Sequence, residues 1–189
     1  MKLQEEIDKS VELLRKGKIL LYPTDTIWGI GCDATNSKAV QRLYKIKERE
    51  QNKSMIVLLD SVDKLELYIK KVPPITYDLI KNSVSPLTIV YSGAKNLAKN
   101  LIASDGTIAI RIVSGEYCSP VIQKLGNPLV STSANISGEP SASSFYQINK
   151  SILDKVDHVV EVLRDRVRTV KPSTLIKIEE NGRFMVLRS

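Results

Sequence analysis

Pro128-Leu129-Val130-Ser131-Thr132-Ser133-Ala134-Asn135-Ile136-Ser137-Gly138-Glu139-Pro140 is the stretch around which the chain is organised. Pro128 to Val130 read as a short strand. The ten residues that follow, STSANISGEP, crowd hydroxyls, one carboxamide and one glycine into a single turn of chain. Such a composition buries almost no apolar surface and offers hydrogen bonds instead. Ser, Asn, Gly and Pro are ordinary turn residues, so a plain turn and a ligand loop both fit the stretch taken alone. The rest of the chain has to decide between them.

Working outward, the same arrangement recurs. Upstream, KILLY reads as a strand that delivers the chain into a loop from Pro23 to Gly31, with Thr24, Asp25, Thr26, Trp28 and Gly29. MIVLL, SPLTIVY and TIAIRIV read as further strands, the last with Arg111 at its centre, where a guanidinium needs an anion, a carboxylate partner or an exposed edge. Leu3, Ile7, Val11 and Leu14 recur at helical spacing ahead of Gly17, and Ser37 to Lys47 repeats the pattern with Asn36 or Ser37 as N-cap. Pro73-Pro74 separates two short helices, Val62 to Lys70 and Ile75 to Lys81. Ser92 to Gly106 reads as a mobile connection, Cys118 to Leu125 as a helix, Phe145 to Leu153 as a weak helix and HVVEVL as a strand. At the end, STLIKI and FMVLR form a hairpin, for which Asn181-Gly182 predicts a type I′ turn. About eight strands interleaved with about five helices imply an α/β (α+β) fold, a twisted open mixed sheet flanked by helices.

The 189 residues fit one domain, 1–189, with no repeat or linker to divide it. With 42% hydrophobic and 26% charged residues, and neither a long apolar run nor a signal-peptide pattern, the chain reads as cytoplasmic with no membrane partner. A net charge of +7 points to anionic partners. Cys32 and Cys118 lack metal-ligand spacing, which argues against a zinc site or disulfide scaffold. The single histidine, His158, reads as structural at a strand edge, which leaves no Ser-His or Cys-His nucleophile pair.

Ligand sites in open α/β sheets gather at strand ends. Bringing together Thr24, Thr26, Lys47, Arg49, Lys53, Arg111, Ser133, Asn135, Ser143, Ser173 and Arg188 would make a cationic, hydrogen-bonding pocket suited to a polyphosphate and a small zwitterion. Neither a Walker-type glycine loop nor a dinucleotide fingerprint is present, so side chains would hold any nucleotide.

YPTDTIWGIGCDA (Tyr22 to Ala34), the Lys47-x-Arg49 pair, AIRIV around Arg111, STSANISGEP and PSTLIKI (Pro172 to Ile178) resemble, in order, the motifs of the YrdC/TsaC family of threonylcarbamoyl-AMP synthases. The resemblance implies a YrdC-like sheet with a basic concave face. It also implies a nucleotidyltransferase that converts L-threonine, bicarbonate or CO₂, and ATP into threonylcarbamoyl-AMP and pyrophosphate, for a downstream transferase that modifies tRNA. Lys47, Arg49, Lys53, Asn135, Ser143 and Arg188 would contact ATP, with Lys47 and Arg49 catalytic. Thr26, Arg111, Ser133 and Ser173 would contact threonine. Mg²⁺ would enter with ATP, and no protein metal site is expected. Glu50, Ser54 and Leu58 depart from the family pattern, which touches threonine binding and loop closure. The end at Ser189 suits the short, single-domain form. The competing readings are an RNA-binding module using the same basic face, with weak tRNA binding, and a carbamoyl-transfer domain. On the leading reading, Lys47→Ala or Arg49→Ala should cost activity without unfolding the protein.

Overall fold

The computed structural model describes residues 2–50, 55–142, 144–165 and 172–189. The predicted contacts Lys53 and Ser143, the departure at Ser54 and most of the basic run Arg164 to Lys171 lie outside the described residues.

Among those residues the chain forms one nine-stranded mixed sheet in the order β7-β1-β2-β6-β3-β5-β4-β8-β9. The strands are β1 Leu20–Pro23, β2 Trp28–Gly31, β3 Ile56–Leu59, β4 Leu87–Tyr91, β5 Ile108–Ile112, β6 Leu129–Ser133, β7 His158–Val159, β8 Thr174–Ile178 and β9 Phe184–Arg188. The helices are α1 Leu3–Arg15, α2 Ser37–Ile46, α3 Leu65–Tyr68, α4 Ile75–Asn82, α5 Cys118–Leu125 and α6 Lys150–Leu153. Pairing is parallel for β3 with β5, β4 with β8 and β1 with β7, and antiparallel elsewhere. The expected mixed sheet with flanking helices is therefore present.

Alternation along the strands divides the core into two layers, because successive side chains leave opposite faces of a sheet. Leu20, Tyr22, Leu58 and Leu129 face one way and pack with Ile7, Val11 and Leu14 of α1 and Val121, Ile122 and Leu125 of α5. Leu21, Ile30, Val57, Leu59, Ile89 and Ile110 face the other way and pack with Val40 and Leu43 of α2. Strands covered on both faces lose the apolar-polar alternation of a half-exposed strand, which is why KILLY and MIVLL read as continuous apolar runs. Asn36 is the N-cap of α2, its side chain accepting from the N–H groups of Lys38 and Ala39. Gly17 follows α1 at φ 71°, the left-handed geometry that a terminating glycine supplies.

Four local expectations change. The Pro23 to Gly31 loop is a tight hairpin, with only the chain from Thr24 to Ile27 outside β1 and β2. Its glycines hid a strand because β2 is squeezed between β1 and β6: a Cβ on Gly31 would lie 1.8 Å from the Val130 carbonyl oxygen. Ser92 to Gly106 is packed down rather than loose, for Leu97, Ala98 and Leu101 are buried and the Ala98 N–H donates to the Ala34 carbonyl. HVVEVL contributes only a two-residue strand. In the final hairpin Gly182 has φ 84° but Asn181 is not in the left-handed region, so the turn is not type I′. The Gly182 N–H closes onto the Glu179 carbonyl, and the Asn181 side chain accepts from the Arg183 N–H, giving a five-residue loop with glycine after the turn.

Candidate functional site

The layer formed by α1 and α5 covers only part of its sheet face. Cross-strand register continues that face from Tyr22 through Gly29 to Ser133, and from Ser131 through Ile56 to Ala109. It also places Leu58, Arg111, Thr88 and Leu175 side by side. The apolar members of this face, Leu20, Tyr22, Leu58 and Leu129, lie under the two helices. The polar members line a cavity formed by Thr24, Thr26, Ile27, Trp28, Gly29, Arg49, Met55, Ile56, Arg111, Ser131, Thr132, Ser133, Ser141, Pro172, Ser173 and Arg188. Gly29 keeps the wall open, since a Cβ there would lie 2.8 Å from the Ser131 hydroxyl.

Arg111 forms the deepest cationic part of the wall. It lies on β5, between β3 and β4, and is only 5% exposed, so the edge position left open by its sequence is ruled out. Its partner is a carboxylate: Nη2 lies 3.0 Å from Asp25 Oδ1, a charge contact without the alignment of a hydrogen bond. Nη1 donates to the Thr26 hydroxyl at 3.2 Å. The Thr26 N–H donates to the Thr24 hydroxyl, which donates to the Ile27 carbonyl at 2.7 Å, so the hairpin tip is braced from within. Arg111 Nε is buried and has no hydrogen-bond partner among the described residues. A buried donor left unmade costs about 1–3 kcal/mol.

On the far wall, Ser173, just ahead of β8, shares a hydrogen bond of 2.7 Å with Thr88, buried behind it on β4. Arg188, on the edge strand β9, donates from Nε and Nη2 to the Ser173 carbonyl, at 3.3 and 2.9 Å. Of the residues proposed from sequence, Thr26, Arg49, Arg111, Ser133, Ser173 and Arg188 therefore line one cavity, with Thr24 beside them.

Lys47 and Asn135 are placed differently. Lys47 is 1% exposed and does not line the cavity; its ammonium donates to the carbonyl oxygens of Ser133 and Asn135. Burial first, and then Arg49, lowers its pKa to about 8, with Glu139 acting in the opposite direction. The Asn135 side chain donates to the carbonyls of Ile136 and Glu139, closing the turn at the end of β6. STSANISGEP is thus both things at once: Ser131 to Ser133 continue the strand and face the cavity, and Asn135 to Glu139 make the turn. Ser131 escapes a strand read as ending at Val130; three residues longer, its period-2 spacing puts Ser131 and Ser133 on one face. Asp25 had no signal beyond its place between two threonines, because a partner on β5 is a tertiary fact.

Leu58 sits in register with Arg111 but is fully buried in the layer under α5. His158 is away from the cavity, with Nε2 2.5 Å from Glu6 Oε1, and Glu6 is completely buried in α1. Both cysteines are buried and neither is in a disulfide; Cys118 donates to the Pro23 carbonyl, and burial, with Asp33 nearby, pushes the Cys32 thiol well above its ordinary value.

The fold is an α/β domain whose open mixed sheet gathers Arg188 of β9, the buried Arg111 of β5 and a row of hydroxyls on one cavity, with Arg49 reaching it from the segment after α2. The profile of the Sua5/YciO/YrdC family, described as telomere recombination, matches residues 12–189, and the chain belongs to that family. The putative threonylcarbamoyl-AMP synthase of Methanocaldococcus jannaschii is 37% identical over 94% of this chain and 84% of its own length. The threonylcarbamoyl-AMP synthase of Pseudoalteromonas translucida is 33% identical, covering 95% of this chain and 96% of that protein. The crystal structure of P. abyssi Sua5 complexed with L-threonine superposes with a TM-score of 0.84 at 25% identity over 94% of this chain, which spans 52% of that one.

Proposed function

We propose that this chain is an L-threonylcarbamoyladenylate synthase, joining L-threonine, bicarbonate or CO₂, and ATP into threonylcarbamoyl-AMP with release of pyrophosphate. The observation that carries the site assignment is the convergence of Arg111, Arg49 and Arg188 with the hydroxyls of Thr26, Ser133 and Ser173 on one cavity. A guanidinium in the wall of such a cavity suits a carboxylate, and arginine supplies the planar fork that recognises one. Threonine's carboxylate goes to Arg111, with the hydroxyls of Thr26, Ser133 and Ser173 within the same cavity. The polyphosphate goes to Arg49 and Arg188.

The chemistry asks little of the protein beyond placement and charge. Threonine's amine adds to CO₂ and loses a proton, giving a carbamate. A carbamate oxygen then attacks the α-phosphorus of ATP, and the bond from that phosphorus to the bridging oxygen of pyrophosphate breaks. Phosphoryl-type transfers of this kind depend on alignment and on neutralising charge, with no protein nucleophile. Arg49 and Arg188 meet the charge on the departing pyrophosphate. Lys47 acts from beneath, holding the carbonyls of Ser133 and Asn135 and so fixing the turn that carries Ser133 into the cavity. Among the described residues no three acidic, histidine or cysteine side chains gather as a metal site, so magnesium brought by ATP would be held by phosphate oxygens. The product goes to a transferase that modifies tRNA.

The test is pyrophosphate release on incubation with ATP, Mg²⁺ and bicarbonate, with and without L-threonine. Release that depends on threonine is expected, together with a threonylcarbamoyl adenylate in the products. Release that ignores threonine would end the proposal.

A further inference from the structure

The cations around the cavity are not equivalent. Arg111 carries its own counter-ion, the Asp25 carboxylate at 3.0 Å, whereas Arg188 donates to the neutral carbonyl of Ser173 and forms no ion pair with a carboxylate among the described residues. Asp25 does not line the cavity. It lines a second, smaller recess with Pro23, Ser114, Glu116 and Tyr117, and reaches Arg111 from outside the cavity wall. The hairpin tip that carries Asp25 is fixed by the Thr24, Thr26 and Ile27 hydrogen bonds, so the carboxylate is not a loose side chain that a ligand could push aside cheaply.

We infer that Asp25 is the specificity-determining residue that keeps phosphate out of the Arg111 end of the cavity. This rests on the reading of the cavity as the site of threonine and ATP. A buried guanidinium alone would attract the most highly charged anion present, and ATP and pyrophosphate outbid an amino-acid carboxylate on charge. With Asp25 in place the Arg111 end is nearly neutral. Its guanidinium can meet one carboxylate, and once a monoanion is bound the net charge there is negative, so a second negative charge on the ligand is opposed. The Arg188 end keeps its positive charge. The cavity is therefore polarised, with a hydrogen-bonding end for one negative charge and a cationic end for several. The division prevents pyrophosphate or ATP from occupying the amino-acid subsite.

The probes are L-threonine and its phosphonate analogue, in which the carboxylate is replaced by a doubly charged phosphonate, each titrated calorimetrically into the full chain. The wild-type protein should bind threonine at least about tenfold more tightly than the analogue, the direction opposite to ligand charge, because like-charge repulsion across several ångströms of protein interior is worth about that much. In Asp25→Asn the preference should collapse by about tenfold or reverse, and pyrophosphate should become a competitive inhibitor against threonine. Equal or tighter phosphonate binding by the wild type overturns the inference, as does an unchanged preference in folded Asp25→Asn. Should that variant fail to fold, the wild-type comparison decides alone. If the wild type binds neither threonine nor ATP, the functional reading falls and this inference with it, whereas binding of threonine without discrimination against the phosphonate removes the inference only.

Discussion

Lys47→Ala and Arg49→Ala, alike in the sequence, should behave differently in the protein. Lys47 is buried, and its ammonium holds the Asn135 carbonyl and the Ser133 carbonyl. The Ser133 oxygen keeps a second donor, the Asn135 N–H, so its loss is partial. A buried acceptor left without a donor costs about 1–3 kcal/mol, and each buried methylene removed costs about 0.8 kcal/mol more. Relief of the ammonium's own desolvation offsets part of this, leaving about 2–4 kcal/mol. For a chain of this size that is a fall in Tm of roughly 5–15 °C. Arg49, half-buried at the cavity wall, should lose activity with a much smaller fall. The assay pairs a thermal melt with threonine-dependent pyrophosphate release. A Lys47→Ala protein that melts with the wild type would refute the reasoning and restore Lys47 as a ligand contact alone. The pH dependence gives a second check, because Lys47 is lowered from 10.5 to about 8 by burial. Between those two values the unfolded chain binds more protons than the native one at this site, so its penalty is complete below pH 8 and is relieved as pH rises to 10.5. The stability advantage of wild type over Lys47→Met should therefore grow through that window, and a gap that shrinks there contradicts the placement.

Gly31→Ala should prevent folding, since its Cβ would meet the Val130 carbonyl at 1.8 Å and neither strand can move without breaking β2 from β6; a native circular-dichroism melt would contradict this. His158→Ala should leave turnover near wild type but lower stability by about 3 kcal/mol, because Glu6 would stay buried without its ring partner. Loss of kcat at unchanged Tm would instead give the histidine a chemical role. Cys32 and Cys118 should resist alkylation in the native protein and react only on unfolding, both being buried, with the Cys32 thiol raised by burial. Rapid labelling at neutral pH would show that the layers open more readily than their packing implies.

The sequence by itself determined most of the elements and most of the cavity's polar membership. Helical spacing in α1 and α2, apolar runs for β1 and β3, and caps at Asn36 and Gly17 are local signals, each set by residues within a turn or two of one another. The motifs naming Thr26, Arg49, Arg111, Ser133, Ser173 and Arg188 are of the same kind, and the structure brings all six to one cavity. Where local signals conflicted, they misled: two glycines in β2 read as loop, because the reason for them is the closeness of β6, a strand about a hundred residues away in the chain. Tertiary structure alone decided that Arg111 is paired with Asp25, that Lys47 is a buried brace beneath Ser133, and that the α1 and α5 layer stops short of the polar end of its sheet face. Those are relations of register and packing between distant segments. No window of sequence holds both partners, so only the folded chain could assign the charge that each arginine in the cavity still has to offer.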